Sequence, residues 1–478
     1  YDVVVVDEIQ MIGDEDRGHA WTKALMGVRA KEIHVCGGLE AENLVRNFAS
    51  LCGDDYELNT YGRFNKLVVD SAPLNPRGDY STVRPGDCIV AFNRNDIYAI
   101  RKEIEERTPH KCCVVYGNLP PETRAAQAKL FNDPDSGYDI LVASDAIGMG
   151  LNLNIRRVIF HTIYKSNGRN IARLDHSSMK QIGGRAGRRN SPFKFGEVTT
   201  RVAEDLVHIR EALATEIEQI PKAGLLPTVE HVESFALALA EQEKREPPLS
   251  EVVDKFGKLA KIEGDFFLCR QEAIGAVAKR LDDVKMELTD KYLFCVAPVN
   301  GNDQFGLRML RQFSEAHSVG KPMGFHINIG HSKVTSVEEV GKLCSKHNVL
   351  DLFLWLSMRF PGNHVEVASA LQQKELLINL VDESLRASGS ASNLTVSHNY
   401  QEHDLRIRNA YRRHLREIGM PLLEQGGEER GAEEEEEEEE EEQGSLKRSD
   451  WDERAFQTRR RRSGDGRRRQ GRRAAAAA

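Results

Sequence analysis

YDVVVVDEIQ (Tyr1–Gln10) places an unbroken run of valines, Val3–Val6, directly in front of two carboxylates. A continuous β-branched run is the pattern of a strand covered on both faces in a parallel sheet, so Asp2–Val6 is expected to be such a strand. Asp7 and Glu8 then stand at its C-terminal end, the edge where open α/β sheets put their ligand chemistry. An acidic pair there also reads as nothing more than a solvated strand end. A core strand among the first residues, where chains are usually solvated, implies further chain upstream.

Working outward, residues 1–72 alternate β-α-β-α-β: DVVVV, HAWTKALMGVR, EIHVCGG, AENLVRNFASLC, then YELNTY with KLVVD. A Pro/Gly-containing connector, SAPLNPRGDYSTVRPGD, leads to a second alternating run over 73–220: DCIVAF, a helix over 94–107, KCCVVYG, a helix from Pro121, YDILVAS, RRVIF, a helix near 176–187, and GEVTT. This alternation predicts a parallel sheet flanked by helices. After Pro221, segments such as VEHVESFALALA, LSEVVDKFGKLAKI, QEAIGAVAKRLDDV and VEVASALQQKELLINLVDESL repeat apolar residues at i, i+3 and i+4, which predicts an all-α domain over 221–420, with Ser388–Asn399 as a loop. Residues 421–478 are acidic and then basic, with ten consecutive glutamates at 433–442, and cannot bury enough surface to order themselves.

The chain has 478 residues, 40% of them hydrophobic, enough for two to four ordinary globular domains. No apolar run reaches about 18 residues, so no membrane partner is expected, and the first residues have no signal or transit character. Eight scattered cysteines form no C-x-x-C pair, so neither a zinc site nor a disulfide framework is indicated, and a reducing compartment fits best. The net charge of −8 sums unequal parts. Residues 424–442 carry thirteen acids against one arginine, and 443–478 carry twelve bases against four acids, so residues 1–423 are close to neutral. Any nucleic-acid contact there needs a local basic lining.

Two further segments carry chemistry. SDAIGMGLN (144–152) follows the strand YDILVA and has glycines at 148 and 150 that let backbone approach a ligand. QIGGRAGRR (181–189) spaces Arg185 and Arg188 by three, which on a helix puts them on one face with Gln181 a turn earlier. Guanidinium groups suit phosphoryl transfer, where an inserted arginine is worth on the order of 10³ to 10⁵ in rate. The bland reading is a solvated Arg-rich helix, although glycines 183, 184 and 187 would serve such a helix poorly.

DEIQ, SDAIGMGLN and QIGGRAGRR, in this order and spacing, resemble motifs II, V and VI of DExH-box helicases. RPGDCIVAFNRNDIY (84–98), VVYGNLPPETRAAQAKLFND (114–133), DAIGMGLNLNIRRVIF and FKFGEVTT, with AGLLPTVEHVESFA and NVLDLFLWLSMRF further on, are similar to the mitochondrial degradosome RNA helicases of the suppressor-of-Var family over roughly residues 1–385. The resemblance implies an α/β fold: part of a first RecA-like domain (1–72), a complete second RecA-like domain (73–220) and an all-α C-terminal domain (221–420); the disordered tail (421–478) is expected from its composition alone. It also implies ATP with Mg²⁺ as cofactors, RNA as partner, a polynucleotide phosphorylase-type exonuclease as a second partner, and a place in the mitochondrial matrix, with the nucleus as a further possibility given the basic tail.

Carried over position by position, the resemblance implies that Asp7 holds Mg²⁺ through water and Glu8 orients or deprotonates the attacking water. Gln10 would bind the nucleotide cofactor and link this strand end to the second domain, Arg185 and Arg188 would be arginine fingers, and Gln181 would contact the nucleotide or its water. Gly150 and Asn152 would lie near the nucleotide. Ser144, Gly148, Asn93 and Gly117 would contact RNA, largely through its backbone and without sequence preference. Cys36-Gly37-Gly38 takes the place of the coupling motif but departs from its Ser-Ala-Thr pattern. With metal and water on one domain and arginines on the other, ATP would close a cleft and hydrolysis would release it.

Such a motor needs a phosphate loop, G-x-x-x-x-G-K-[S/T]. The Gly-Lys pairs at 257, 320 and 341 are followed by Leu, Pro and Leu, so none qualifies. The chain therefore reads as a helicase cut at motif II, expected to hydrolyse ATP poorly by itself. The competing reading is a non-enzymatic RNA-binding or partner-docking piece; an α/β metabolic enzyme would give no reason for QIGGRAGRR. HDLRIRNAYRRHLRE (403–417) reads either as an RNA-contacting helix or as a solvated amphipathic one, and Trp355 as a core residue.

Overall fold

The computed structural model describes residues 1–166, 170–189, 191–262, 264–323, 327–330, 334, 336–363, 366–387 and 398–417. The expected tail (421–478) and all but the last two residues of the expected Ser388–Asn399 loop lie outside these. Tyr1–Arg408 form one compact unit, and 409–478 a second of which only 409–417, the end of a helix, are described.

The valine run forms β1 (Val3–Val6), which pairs in parallel with β2 (Glu32–Val35) through α1 (Gly18–Gly27), and α2 (Glu42–Cys52) follows. Val4 and Val6 turn into a cluster with Ile9, Ile12, Leu44 and Phe48. Val3 and Val5 face the other way and are 54% and 62% exposed, so the strand is covered on one face and not on both as expected. Four valines carry no period-two signal, so the sequence alone could not tell a one-sided strand from a two-sided one.

The second sheet is six-stranded and parallel, built from β3 (Leu67–Val69), β4 (Asp87–Val90), β5 (Cys112–Val115), β6 (Ile140–Ala143), β7 (Arg157–Phe160) and, after an antiparallel pair β8 (Tyr164–Ser166) and β9 (Ile171–Arg173), β10 (Gly196–Thr200). The spatial order is β3-β10-β7-β4-β6-β5. Helices α3 (Arg94–Arg107), α4 (Pro121–Asn132), α5 (His176–Gly183) and α6 (Ala203–Ala214) connect and cover it. Asn93 starts α3 by accepting from the Asn95 N–H at 2.8 Å, and Pro121 stands at the first position of α4, where a missing N–H costs nothing. Strands β4 to β7 are buried along their whole length, as hydrophobic runs of this kind require. Their residues alternate between two clusters: Ile89, Val114, Val142 and Ile159 on one face, Cys88, Val115, Leu141, Val158 and Phe160 on the other.

Two expectations about the first domain fail here. Tyr56–Tyr61 forms no strand, and KLVVD, assigned to residues 1–72, joins the second sheet at its edge, with Leu67 opposite Gly196. A short apolar strand announces itself locally, but its partner is whichever edge the folded chain brings alongside.

Beyond β11 (Ala223–Leu225) the structure is helical: α7 (Val229–Glu243), α8 (Leu249–Leu259), then β12 (Phe266–Leu268) paired in parallel with β11, followed by α9 (Gln271–Leu281), α10 (Leu288–Cys295), α11 (Gln304–Ser318), α12 (Val337–Ser357), α13 (Val367–Ala387) and α14 (Tyr400–Glu417). A capping box joins Ser336 and Glu339 at the start of α12. The core of this region is continuous with one face of the six-stranded sheet, uniting Ile89 and Val142 with Leu350, Phe353 and Leu377. Trp355 packs against that core only in part, and its ring carries Arg359 at 3.3 Å. The first half of α14 is an amphipathic helix with Leu405 and Arg406 facing solvent; on its buried face Arg408 makes a bidentate pair with Asp205 at 2.8 and 2.6 Å and bonds Asp404, which also pairs with Arg201. No helix among the described residues is long and apolar enough to cross a membrane.

Candidate active site

β1 ends at Val6, and Glu8 begins a short 3₁₀ turn with φ +53° and ψ +48°, a left-handed conformation that a non-glycine residue adopts only at a cost. The Glu8 N–H donates to Asp7 Oδ1 at 2.9 Å, and the indole of Trp21 donates to the Asp7 carbonyl at 2.9 Å, so the backbone of the acidic pair is held from two sides. Asp7 itself is exposed and Glu8 half-buried. Gln10 donates to Glu8 Oε2 at 2.6 Å and accepts from the Gly38 N–H at 3.3 Å. Gly37, at φ +153°, lies so close that a Cβ there would meet Gln10 Oε1 at 2.5 Å. Both hydrogen bonds of Gln10 stay within the first domain, so the expected link to the second domain is not made by this residue.

Glu8 makes it instead: Arg185 donates to Glu8 Oε1 at 3.1 Å and also to the Gly148 carbonyl. Arg188 reaches the Leu151 carbonyl at 3.1 Å and Asn152 Oδ1 at 3.4 Å. Burial and the neighbouring charge of Arg185 hold the Arg188 guanidinium below its usual range, while Glu8 and Asp7 pull the other way. The Gln181 side chain lies beside Gly148, and its Nε2 is buried without a hydrogen-bond partner. A buried donor without an acceptor is costly unless a ligand supplies one.

The arginines do not share a helix face as expected. α5 stops at Gly183, and Arg185–Arg188 follow as a turn that Gly187 closes at φ +63°, with Ala186 bridged to Ile155. A Cβ on Gly187 would stand 2.3 Å from the Gly196 nitrogen, so β10 and this turn approach as closely as they do only because position 187 is glycine.

Three residues that sequence reasoning missed hold this turn. Arg63 donates to the carbonyls of Gly184 at 3.0 Å and Ala186; Asn65 donates to the Arg188 carbonyl at 2.9 Å; Arg189 lies over the Phe64 ring at 4.2 Å. Burial holds the Arg63 guanidinium below its usual range. No motif marks these positions; the only sequence signal is polar residues just ahead of an apolar strand.

The expected RNA contacts follow the C-terminal ends of neighbouring parallel strands: Asn93 after β4, Gly117 after β5, Ser144 after β6. Ser144 Oγ accepts from the Ala146 N–H at 3.1 Å and starts the turn to Gly148; Gly150 takes φ +72°; Gly117 is exposed; Asn93 lies 3.3 Å from His403. Topology thus gathers Asn93, Gly117, Ser144 and Gly148 along one sheet edge.

Residues 1–61 match the DEXQ-box helicase domain of Suv3, with Gln10 as the fourth residue of that box; residues 78–190 match the helicase conserved C-terminal domain, 276–318 the Suv3 C-terminal domain 1, and 341–387 the ATP-dependent RNA helicase SUV3 C-terminal domain. The chain is 42% identical over 393 residues to the ATP-dependent RNA helicase SUV3L, mitochondrial, of Oryza sativa subsp. japonica, covering 82% of this chain and 52% of that protein. It is 39% identical over 391 residues to the DExH-box ATP-dependent RNA helicase DExH16, mitochondrial, of Arabidopsis thaliana (81% and 67%), and 40% identical over 370 residues to the ATP-dependent RNA helicase SUPV3L1, mitochondrial, of Homo sapiens (75% and 46%). The chain spans about half the length of the rice and human relatives.

Proposed function

The chain belongs to the Suv3 family of helicases, and from that premise we propose that it supplies the interdomain part of an ATP-dependent RNA helicase. The observation that carries this reading is the 3.1 Å contact between Glu8 and Arg185, which brings the acidic strand end and the arginine-bearing turn to one gap. Asp7 would hold Mg²⁺ through water, and the metal would neutralise phosphate charge there. Glu8 would orient the attacking water. Arg185 and Arg188 would stabilise charge on the transferred phosphoryl group, and Gln181 Nε2 is a donor ready for a nucleotide oxygen or its water. A phosphate entering the gap competes with Glu8 for Arg185, which ties nucleotide state to the contact between domains. RNA would run along the edge formed by Asn93, Gly117, Ser144 and Gly148.

Because residues 1–478 contain no G-x-x-x-x-G-K-[S/T], this chain alone is expected to turn over ATP slowly at most. That favours a second reading, an RNA-binding or partner-docking piece without turnover. The relatives' mitochondrial names support a mitochondrial place, in the matrix, and by family a role in RNA degradation beside an exonuclease of the polynucleotide phosphorylase type; the basic tail is the only feature favouring the nucleus.

Two measurements on the isolated chain test this. Fluorescence anisotropy with single strands of unrelated sequence should show RNA binding of similar affinity that falls steeply with salt; no binding sinks the RNA assignment. A phosphate-release assay should show no RNA-stimulated turnover. Robust turnover that disappears in Glu8→Gln would overturn the expectation of inactivity while supporting the roles assigned to the cleft.

A further inference from the structure

Away from the nucleotide gap, two imidazoles and a carboxylate meet where the start of α14 lies against α3. Asp96, in the first turn of α3, is 3% exposed, and its Oδ1 accepts from His398 Nε2 at 2.6 Å while its Oδ2 accepts from His403 Nδ1 at 2.9 Å. Asp96 and His398 are 302 residues apart in sequence, so only the fold brings them together. One potential ligand atom from each of the three lies within 4.8 Å of the others, and no other such trio of His, Cys, Asp or Glu occurs among the described residues.

A buried carboxylate is costly without strong donors or a positive charge beside it. No arginine or lysine among the described residues makes an ion pair with Asp96; imidazoles occupy both of its oxygens. Two imidazole nitrogens and one carboxylate oxygen are a donor set suited to a borderline divalent ion, leaving one tetrahedral position for water. The imidazoles are 23% and 24% exposed, so an ion can enter from solvent while the carboxylate stays buried.

We propose that Asp96, His398 and His403 bind a zinc-class divalent cation that staples the start of α14 to α3. In the ion-free arrangement His403 donates from Nδ1 to Asp96, and its Nε2, 3.3 Å from Asn93 Nδ2, accepts. Loading moves the imidazole proton to Nε2, so Asn93 must turn its oxygen toward that nitrogen and give up its bond to the Asn95 N–H. An aspartate at 93 offers only acceptors, the carboxylate–histidine–metal arrangement that strengthens a ligating imidazole.

The experiment uses the full chain, stripped with chelator and titrated with Zn²⁺, with bound metal counted by mass spectrometry and affinity read by calorimetry. The expected result is one ion per chain with micromolar or tighter affinity, visible d–d bands of a four-coordinate centre on Co²⁺ substitution, and a melting temperature that rises with Zn²⁺. His398→Gln with His403→Gln should abolish all three, and Asn93→Asp should tighten binding. The glutamate run and other histidines also attract zinc, so uptake and Co²⁺ spectrum unchanged in the double variant overturn the proposal, as does a wild-type chain that takes up no Zn²⁺ in the micromolar range. If the double variant fails to fold, either single histidine variant, altered at a partly exposed side chain, reads the same signals. None of these outcomes depends on the nucleotide site.

Discussion

Arg63 shows how much a single side chain outside any motif contributes to the site. Its guanidinium ties down the carbonyls of Gly184 and Ala186, which flank Arg185. Arg63→Ala leaves both carbonyls without that donor and is expected to cost about 1–2 kcal/mol. Hydrogen exchange at Gly184–Arg189 should quicken in this variant while β4–β7 stay protected; unchanged exchange would show that the turn holds itself. His161 gives a residue-scale pH dependence. It is fully buried, bonded to the Tyr80 hydroxyl at 2.6 Å through Nδ1, and burial pushes its pKa down from 6.5 to about 4, with Arg201 adding to the effect. The unfolded chain therefore binds a proton that the folded chain refuses, and the stabilisation, full above pH 6.5, is lost as pH falls toward 4, by about 3 kcal/mol over that window. Denaturant titrations across pH 4–7 should show the loss, and His161→Gln should reduce it, leaving the smaller share of other imidazoles held down by burial, such as His19 and His208.

At the scale of elements, the turn after α5 is the most exacting. QIGGRAGRR reads as a helix with two arginines on one face, but the helix ends at Gly183, and Gly187 lets the chain turn and lie against β10. Gly187→Ala forces a left-handed residue and a Cβ against the backbone of Gly196, an expected cost of at least about 2 kcal/mol. Thermal denaturation checks this, and a loss below about half a kcal/mol would mean that the turn is looser than its geometry implies. The helices that sequence placed well have local start signals: Asn93 before α3 and Pro121 in α4. The strand pair β11–β12 has none, because AGL and FFL contain no β-branched residue of the kind that marks Leu67–Val69.

Across the whole molecule, one apolar core runs from a face of the six-stranded sheet into α12 and α13. Elements that share a core lose it together, so the sheet and these helices should unfold in one transition. Trp355, packed on that core, reports the helical side when Trp21 and Trp451 are replaced by phenylalanine. Its fluorescence should change at the denaturant concentration where sheet-region hydrogen exchange protection is lost; separate midpoints would mean that two domains merely touch. A second, smaller core around Phe48 joins the first domain to β11 and β12, with Ala223 in the same cluster and Phe48 stacked on Phe266 at 5.2 Å.

The alternation of strands and helices, the extent of α3, the positions of the acidic pair and of both glycine-rich segments, and the membership of a helicase family were all legible in the sequence, because each rests on periodicity, caps or residue types within a few positions. Only the tertiary structure decided that Leu67–Val69 pairs with β10, that the valine strand is covered on one face, that Glu8 rather than Gln10 meets the second domain, and that Arg63 and Asn65 hold the arginine turn. Each of those outcomes depends on which distant surfaces come into contact. Contact between residues more than a hundred positions apart is a property of the packed chain, and no local pattern encodes it.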